Sequence, residues 1–487
     1  MPTLHKNQRR EDRACILARF FPPLCLFFLT AYPALASSQD QAESLLSELV
    51  ASEKSDPASS NLLETVIRIE KAIQLSGWIG QSEKVPQRIF QEVLPKHPQW
   101  NLLDTNQVLA LKSAEQAKAG LFPQVGLSAD YGLRSFGSSP LTRAPGNEYT
   151  SSQGQLTFRQ LLFDFGATWR QWKAAERSSH ASCLRVGYQR SEFLLTTVEP
   201  IQNLQRTELL ALWTSVLLQH REQTVLMMRS RFDEGAGTIY EIARAELKRA
   251  ELARQKLDVD GQIRRLEVQN RLNGFNTRHE LPVVWLPPVE QQMSTLGKHP
   301  LLEEARLAVE AATLESQATS SRRLPQISLD LSLAGQRYEG TRSGDKADYS
   351  ALVTLSYPLF DGGMTSSRVD EALARLEQKQ LDLDQRLRTL TNLESQSLTD
   401  IAIQTETLLT NKRSLKSAVQ TFAASKELFR VKRADLQEIQ RIEDELYAEG
   451  IRLINTWFDL SISTYRYLHL TGRLLGYFGL NSGGCEN

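Results

Sequence analysis

The chain has 487 residues, of which 8% are aromatic and 23% charged, and its formal net charge is zero. That length exceeds one ordinary globular core, and few aromatics among many charges suit long amphipathic helices better than a compact enzyme. A neutral chain gives no electrostatic reason to expect nucleic acid as a partner.

Lys6, Arg9, Arg10, Arg13 and Arg19 precede an apolar run from Phe20, broken by Pro22-Pro23, that closes on Ala34-Leu35-Ala36. This is the layout of a secretory signal peptide over 1–36, with cleavage expected before Ser37. A transmembrane anchor fits less well, because the run is short and a small-residue site follows it. Cys25 follows Pro23-Leu24, not the small residues of a lipoprotein signal, so it belongs to the discarded segment. Removal leaves 52 basic and 55 acidic groups, a net charge of −3, and two of the four cysteines, Cys183 and Cys485. Neither a disulfide framework nor a metal-type cysteine spacing is present. No later stretch holds 18 consecutive apolar residues, so any passage through a membrane must use strands.

Residues 37–60 are rich in Ser, Asp, Glu and Gln and read as a loosely ordered start. A first repeat follows over 61–297. Leu62, Val66, Ile69 and Ile73 have helical spacing behind Asn61 as cap, and a second helix runs from Trp100 to Gly120. Strands over 123–134 and 149–163 alternate, with Val125, Leu127, Ala129, Tyr131 and Leu133 opposite Gln124, Ser128, Asp130 and Arg134. A long helix spans 167–232, a tip 233–238, a return helix 239–272 and an irregular belt 273–297.

The second repeat, 298–480, restates the first. It has a helix at 300–323, strands at 325–336 and 349–360, a long helix at 363–429, a tip at 430–435 and a return helix at 436–475; 481–487 form a tail. His97-Pro98 and Pro123 recur as His299-Pro300 and Pro325 at an offset of 202, and Leu162-Phe163-Asp164 recurs as Leu359-Phe360-Asp361 at 197. The difference falls between the strands of each hairpin, in the polar segments 135–148 and 337–348, where a surface loop can change length without disturbing a core. The long helices carry coiled-coil-like seams, Val198, Ile201, Leu204, Leu209, Leu212 and Val216 in one and Leu373, Leu376, Leu383, Leu387 and Leu390 in the other. Pro200 has Ser397 as its counterpart, so a kink is expected in the first only.

Each strand is long enough to cross a bilayer when tilted, and each has one oily face. Lipid offers no hydrogen-bond partners, so a spanning sheet must close, and four strands are too few. Three copies would supply twelve. The fold class expected is therefore mostly α with a small β part: a duplicated unit of long antiparallel coiled-coil helices with four membrane strands per chain, trimerising into a 12-stranded β-barrel continuous with an α-helical barrel.

The duplicated helix, hairpin and long-helix unit, the Leu-Phe-Asp-Phe-Gly and Pro-Leu-Phe-Asp-Gly-Gly sequences where strand becomes helix, and Leu470-Thr-Gly-Arg-Leu474 resemble the TolC-type outer membrane efflux family over about 61–480. The resemblance implies a homotrimeric channel-tunnel in a Gram-negative outer membrane, with its helical part in the periplasm. It would give substrates an exit duct from a tripartite efflux or type I secretion system, joined to a periplasmic adaptor and an inner-membrane transporter. In that family the helical tips often carry Gly-x-x-Ser/Thr-x-x-Asp/Glu and meet the adaptor. Gly235, Thr238 and Glu241 match it, with Gly237 as a second turn glycine, whereas the other tip reads Lys432, Asp435 and Glu438. A capping role for the same residues is the competing reading. Asp233, Glu234, Asp435, Glu443 and Asp444, repeated threefold, could form cation-selective rings at a closed entrance, against the plainer reading of solvated helix ends.

No catalytic, cofactor-binding or metal-ligating residue is expected. Histidines 97, 180, 220, 279, 299 and 469 show no ligand spacing, and His97 and His299 each precede a proline at a helix entry, which points to a local structural role. A periplasmic coiled-coil scaffold without a channel is the alternative function, but it leaves the oily strands unexplained. Among cargoes, the weak overall similarity leans towards protein export by a type I system.

Overall fold

A computed structural model describes residues 90–135, 148–275, 299–339, 344–431 and 433–480. The expected helix at 61–78, most of the belt and the terminal segments lie outside the described residues. The described part falls into two compact units, 215–250 and the remainder. In chain order the elements are α1 (Pro98–Ala119), β1 (Gln124–Ser135), β2 (Glu148–Phe163), α2 (Ala167–Asp233), α3 (Ile239–Leu272), α4 (Pro300–Ser321), β3 (Gln326–Glu339), β4 (Gly344–Ser356), α5 (Met364–Arg430), α6 (Leu436–Leu470) and the single turn α7 (Leu474–Tyr477).

The four strands form one antiparallel sheet in the order β1-β2-β3-β4. Their register aligns the alternation of every strand. Val125 and Leu127 pair with Phe158 and Leu156, these with Leu331 and Leu333, and these with Ala351 and Tyr349, so one face is apolar across the whole sheet. The opposite face carries Gln124, Ser128 and Asp130, then Gln153, Gln155 and Thr157, then Asp330, Ser332 and Gln336, with Leu352 as an exception. On that polar face Arg159 Nε lies 2.6 Å from Asp330 Oδ1, and the Ser332 and Ser350 hydroxyls are 2.8 Å apart.

The second hairpin departs from its expected bounds at both ends. Much of the segment read as a polar loop is strand, because Arg337 and Asp345 stand opposite each other and pair at 2.9 Å. At the other end β4 stops at Ser356, where β2 continues to Phe163. Pro358 accounts for the early stop, since it has no N–H to give a ladder; its counterpart at an offset of 197, Leu161, has one.

Strand turns into helix at the duplicated Leu-Phe-Asp sequences. The Asp164 carboxylate accepts from the Gly166 and Thr168 N–H groups at 3.0 and 2.7 Å, and Asp361 accepts from Gly363 and Thr365 at 3.1 and 2.8 Å. Each aspartate thus caps a long helix. Bonds from Thr365, side chain first, hold the Asp361 carboxyl below its usual range. The turns need left-handed backbone at Gly362 and Gly363, and Phe165 adopts φ 55° where the second copy has Gly362. Phe165 packs edge-on to Phe163 with centroids 4.7 Å apart.

The His-Pro repeats are helix starts. His97 Nδ1 accepts from the Gln99 N–H at 3.2 Å and His299 Nδ1 from the Leu301 N–H at 3.1 Å, while Pro98 and Pro300 occupy first-turn positions that need no donor. The return helix ends at Leu470, short of the expected 475, because Gly472 takes φ 73° and the Arg473 N–H bonds back to the Leu468 carbonyl at 2.8 Å. A Cβ on Gly472 would stand 3.0 Å from Pro300 Cδ, so the Leu-Thr-Gly-Arg sequence and the second His-Pro sequence are packed together. Nearby, Phe90, Leu94, Phe193, Leu194, Ile201, Phe275, Tyr465, Leu474 and Phe478 form an apolar cluster. Cys183 is buried in α2 and is disulfide-bonded.

Along α2 the buried stripe runs through Val198, Ile201 and Leu204 as expected, but Leu212 is exposed and Trp213 and Thr214 turn inward instead. Pro200 sits within α2, which continues through it, and Asn270 of α3 donates to the Pro200 carbonyl at 3.4 Å. Trp213 is fully buried, its Nε1–H donates to the Tyr447 carbonyl of α6 at 3.1 Å, and its indole fills the space a Cβ on Gly450 would need, 2.3 Å from Cε2. A mid-helix Gly→Ala change ordinarily gains about 1 kcal/mol of helix propensity. Here Gly450→Ala forces a pinned indole aside, and overpacking of about 1–3 kcal/mol should outweigh that gain. Thermal unfolding of the variant is expected to start at lower temperature than wild type, and an unchanged or raised midpoint would refute the packing argument.

Candidate functional site

In a soluble protein the apolar face of such a sheet would be covered by another element. Here Leu127, Tyr131, Leu133 and Tyr349 on the apolar sheet face are each more than three-quarters exposed. An apolar surface that extends over all four strands exceeds what a soluble monomer leaves open. The strands have 12 to 16 residues, about 40 Å or more along the chain, which suffices for a tilted crossing of an apolar band about 25 Å tall. Among the described residues no helix is long and apolar enough to cross a membrane.

The helices continue the order of the strands. Arg190 of α2 pairs with Asp104 of α1, Arg177 of α2 lies 3.3 Å from Glu310 of α4, and Arg386 of α5 pairs with Glu304 of α4. The sequence α1-α2-α4-α5 therefore matches β1-β2-β3-β4, giving a wall whose one side is β1 with α1 and whose other is β4 with α5. Both outer helices leave apolar side chains uncovered: Leu102, Val108 and Leu109 on α1, and Leu373, Leu381 and Leu387 on α5. Those of α5 belong partly to the seam read from its heptads, which is therefore only half used within the chain.

At the first tip, α2 closes with a Schellman pair in which the Gly235 N–H reaches the Phe232 carbonyl at 2.9 Å and the Ala236 N–H reaches Arg231 at 2.8 Å. Gly235 sits at φ 75°, and Gly237 lies so close to the end of α2 that a Cβ would be 3.1 Å from the Phe232 nitrogen. Thr238 and Glu241 then form a reciprocal capping box. The Glu241 carboxylate accepts from the Thr238 N–H at 2.8 Å, and the Thr238 hydroxyl accepts from the Glu241 N–H at 3.3 Å. The three motif residues of this tip, with Gly237, are thereby engaged in stopping one helix and starting the next. Immediately beyond the cap Ile239 and Tyr240 are exposed, a surface signal that the motif itself does not carry.

The second tip closes with the same long bond at an offset of 197, from the Arg433 N–H to the Leu428 carbonyl at 2.8 Å. Lys432 lies outside the described residues. Asp435 caps α6 by accepting from the Glu438 N–H at 2.8 Å. Glu438 turns its carboxylate to the Arg441 guanidinium at 2.6 and 3.1 Å, and this pairing holds its pKa below the usual carboxylate range. Leu436, the counterpart of Ile239, is buried.

The carboxylates read as a possible gate are not equivalent. Asp233, Glu234 and Asp435 are exposed and Asp444 is half-buried, whereas Glu443 is buried, with 1% of its surface accessible. Glu234 also accepts from the Ser230 hydroxyl at 3.1 Å. Asp233 and Glu234 belong to one compact unit and the other three to the second. Among the described residues no group of His, Cys, Asp and Glu side chains could hold a metal ion.

The outer membrane efflux protein family model matches residues 91–272 and 293–452. The chain is similar to the alkaline protease secretion protein AprF of Pseudomonas aeruginosa, 25% identical over 74% of this chain and 78% of that one. It is 21% identical to the outer membrane protein TolC of Escherichia coli over 85% and 87% of the two chains. Its fold is that of the CmeC outer membrane channel of Campylobacter jejuni, with a TM-score of 0.69 at 13% identity over 78% of this chain and 84% of that one. The exposed oily sheet and the continuous wall accord with these likenesses, and because the family model covers well over half of the sequence, the chain belongs to the outer membrane efflux protein family, whose members are channels and not enzymes.

Proposed function

We propose that three copies of the mature chain, released by cleavage before Ser37, close into a 12-stranded barrel continuous with a helical cylinder. The resulting trimer serves as the exit duct of a transporter assembly. The observation that carries this reading is the matched order of strands and helices, which leaves β1 with α1 on one side of the wall and β4 with α5 on the other. Unlike edges of this kind join head to tail, and repetition around an axis closes a ring. Single cysteines placed in β1 and β4 of the same chain should yield a covalent trimer from outer-membrane fractions, dissociable only after reduction. Crosslinks confined within one chain, or a monomer in the soluble periplasmic fraction, would overturn it and favour the scaffold.

The tips are assigned to a periplasmic adaptor, and behind it an inner-membrane transporter supplies the energy. We infer that the first tip, whose Gly235 allows an unstrained Schellman turn and whose Ile239 and Tyr240 are exposed, is the principal docking hairpin. The second, with Lys432 at the glycine position and Glu438 committed to Arg441, is modified. Crosslinkers at positions 235 and 432 should capture adaptor preferentially from 235; equal capture would sink the asymmetry. Thr238→Ala removes a cap worth about 1 kcal/mol and should raise amide exchange over the first turn of α3 while leaving the trimer intact. Unaltered exchange there would show that the box contributes nothing.

Among the carboxylates of the second tip, Asp435 and Asp444 are the better candidates for a cation-selective ring, since Glu443 is buried within the chain. Asp435→Asn and Asp444→Asn should each lower the cation preference of single channels, and unchanged selectivity in both would argue against a gate. For the cargo, similarity to a protein named for alkaline protease secretion supports export of polypeptides by a type I system.

A further inference from the structure

The histidines give a second reading where α4 begins and α6 ends. His299 is buried, and both of its ring nitrogens are used: Nδ1 accepts the Leu301 N–H at 3.1 Å, and Nε2 meets the Leu470 carbonyl. Only a neutral imidazole with its proton on Nε2 can do both, because a protonated Nδ1 has no lone pair for the cap. His469, one residue before Leu470, places Nδ1 2.8 Å from the Ser191 hydroxyl of α2. The Tyr188 ring of α2 lies against both, 4.6 Å from His469 and 6.1 Å from His299 between centroids. Two imidazoles thus tie α2, the first turn of α4 and the last turn of α6 to one another.

We propose that the His299–His469 pair is a pH-sensitive clasp, closed while both rings are neutral and opened at the α4 first turn when either takes a second proton. A proton on His299 destroys the N-cap, and a proton on either ring places a charge beside its neighbour in a poorly solvated site.

The surroundings offer little compensation. From α5, the carboxylate of Glu394 acts on His299, and the Arg386 guanidinium reaches the Leu301 carbonyl at 3.5 Å. From α4, Glu304 is committed to Arg386. From α2 come Tyr188 and Glu192, which act on each other, from the end of α6 comes Tyr467, and from the turn after it Arg473. Burial lowers the His299 pKa, against the pull of the Leu470 carbonyl and Glu394. Burial, then the neighbouring His299, pushes His469 down to about 4. A group whose pKa falls on folding binds fewer protons closed than open, so its contribution is complete above the ordinary histidine value near 6.5 and is lost as pH falls towards 4.

Amide hydrogen exchange of the full mature protein in detergent tests this, with the intrinsic pH dependence of exchange removed. Between pH 7.5 and 5.0, protection over residues 301–306 should fall by on the order of 30-fold, the factor that a shift from 6.5 to about 4 produces at pH 5. His299→Asn with His469→Gln keeps the polar partners and cannot titrate, so its protection should hold across that range. If the double variant does not fold, His469→Gln alone should abolish most of the fall. Protection independent of pH in wild type, or an equal fall in the variants, would overturn the clasp.

Discussion

A β-sheet in hydrocarbon must satisfy every backbone N–H and C=O from within protein, and this constraint organises the molecule. Four strands in one antiparallel sheet satisfy three ladders and leave two edges, β1 and β4. The apolar face that suits the sheet to lipid also removes water as an alternative partner for those edges. A chain with this sheet is therefore incomplete by itself, and its helices repeat the condition in weaker form through the uncovered leucines of α1 and α5.

The duplication serves the same constraint. Each copy brings a strand up from a helix and returns a strand into a long helix, so strand order and helix order coincide without any crossing connection. Asp164 and Asp361 make the passage abrupt by capping the long helices directly after the sheet. Where the copies differ, a local chemical difference explains it: Pro358 shortens one strand, and the exchange of Gly235 for Lys432 changes the residue at the helix stop.

The polar residues that stand out as repeats and motifs act as terminators. The aspartates, the threonine and glutamate at the first tip, and the histidines before proline each satisfy backbone groups that helix ends leave open. This is why the tip motif and the His-Pro repeats stand out in the sequence without marking chemistry. The same economy makes His299 and His469 sensitive, because a ring used as an acceptor has only one charge state that fits.

The sequence by itself determined the repeat, the alternation of the strands, the long helices and the absence of catalytic spacing, because these depend on period and local backbone preference. It was less reliable at the ends of elements. The early stop at Ser356 was legible in Pro358, and the stop at Leu470 in Gly472, but the extension of the second hairpin depended on Arg337 meeting Asp345 across the sheet. Tertiary structure alone decided which apolar residues of a long helix turn inward. Leu212 fits the heptad better than Trp213, yet the notch at Gly450, more than 230 positions away, admits the indole and rotates the stripe. It also decided that Glu443 is buried while Asp435 is exposed, and that His299 lies beside the chain around His469. Such pairings join residues far apart in the chain, and no local periodicity encodes them.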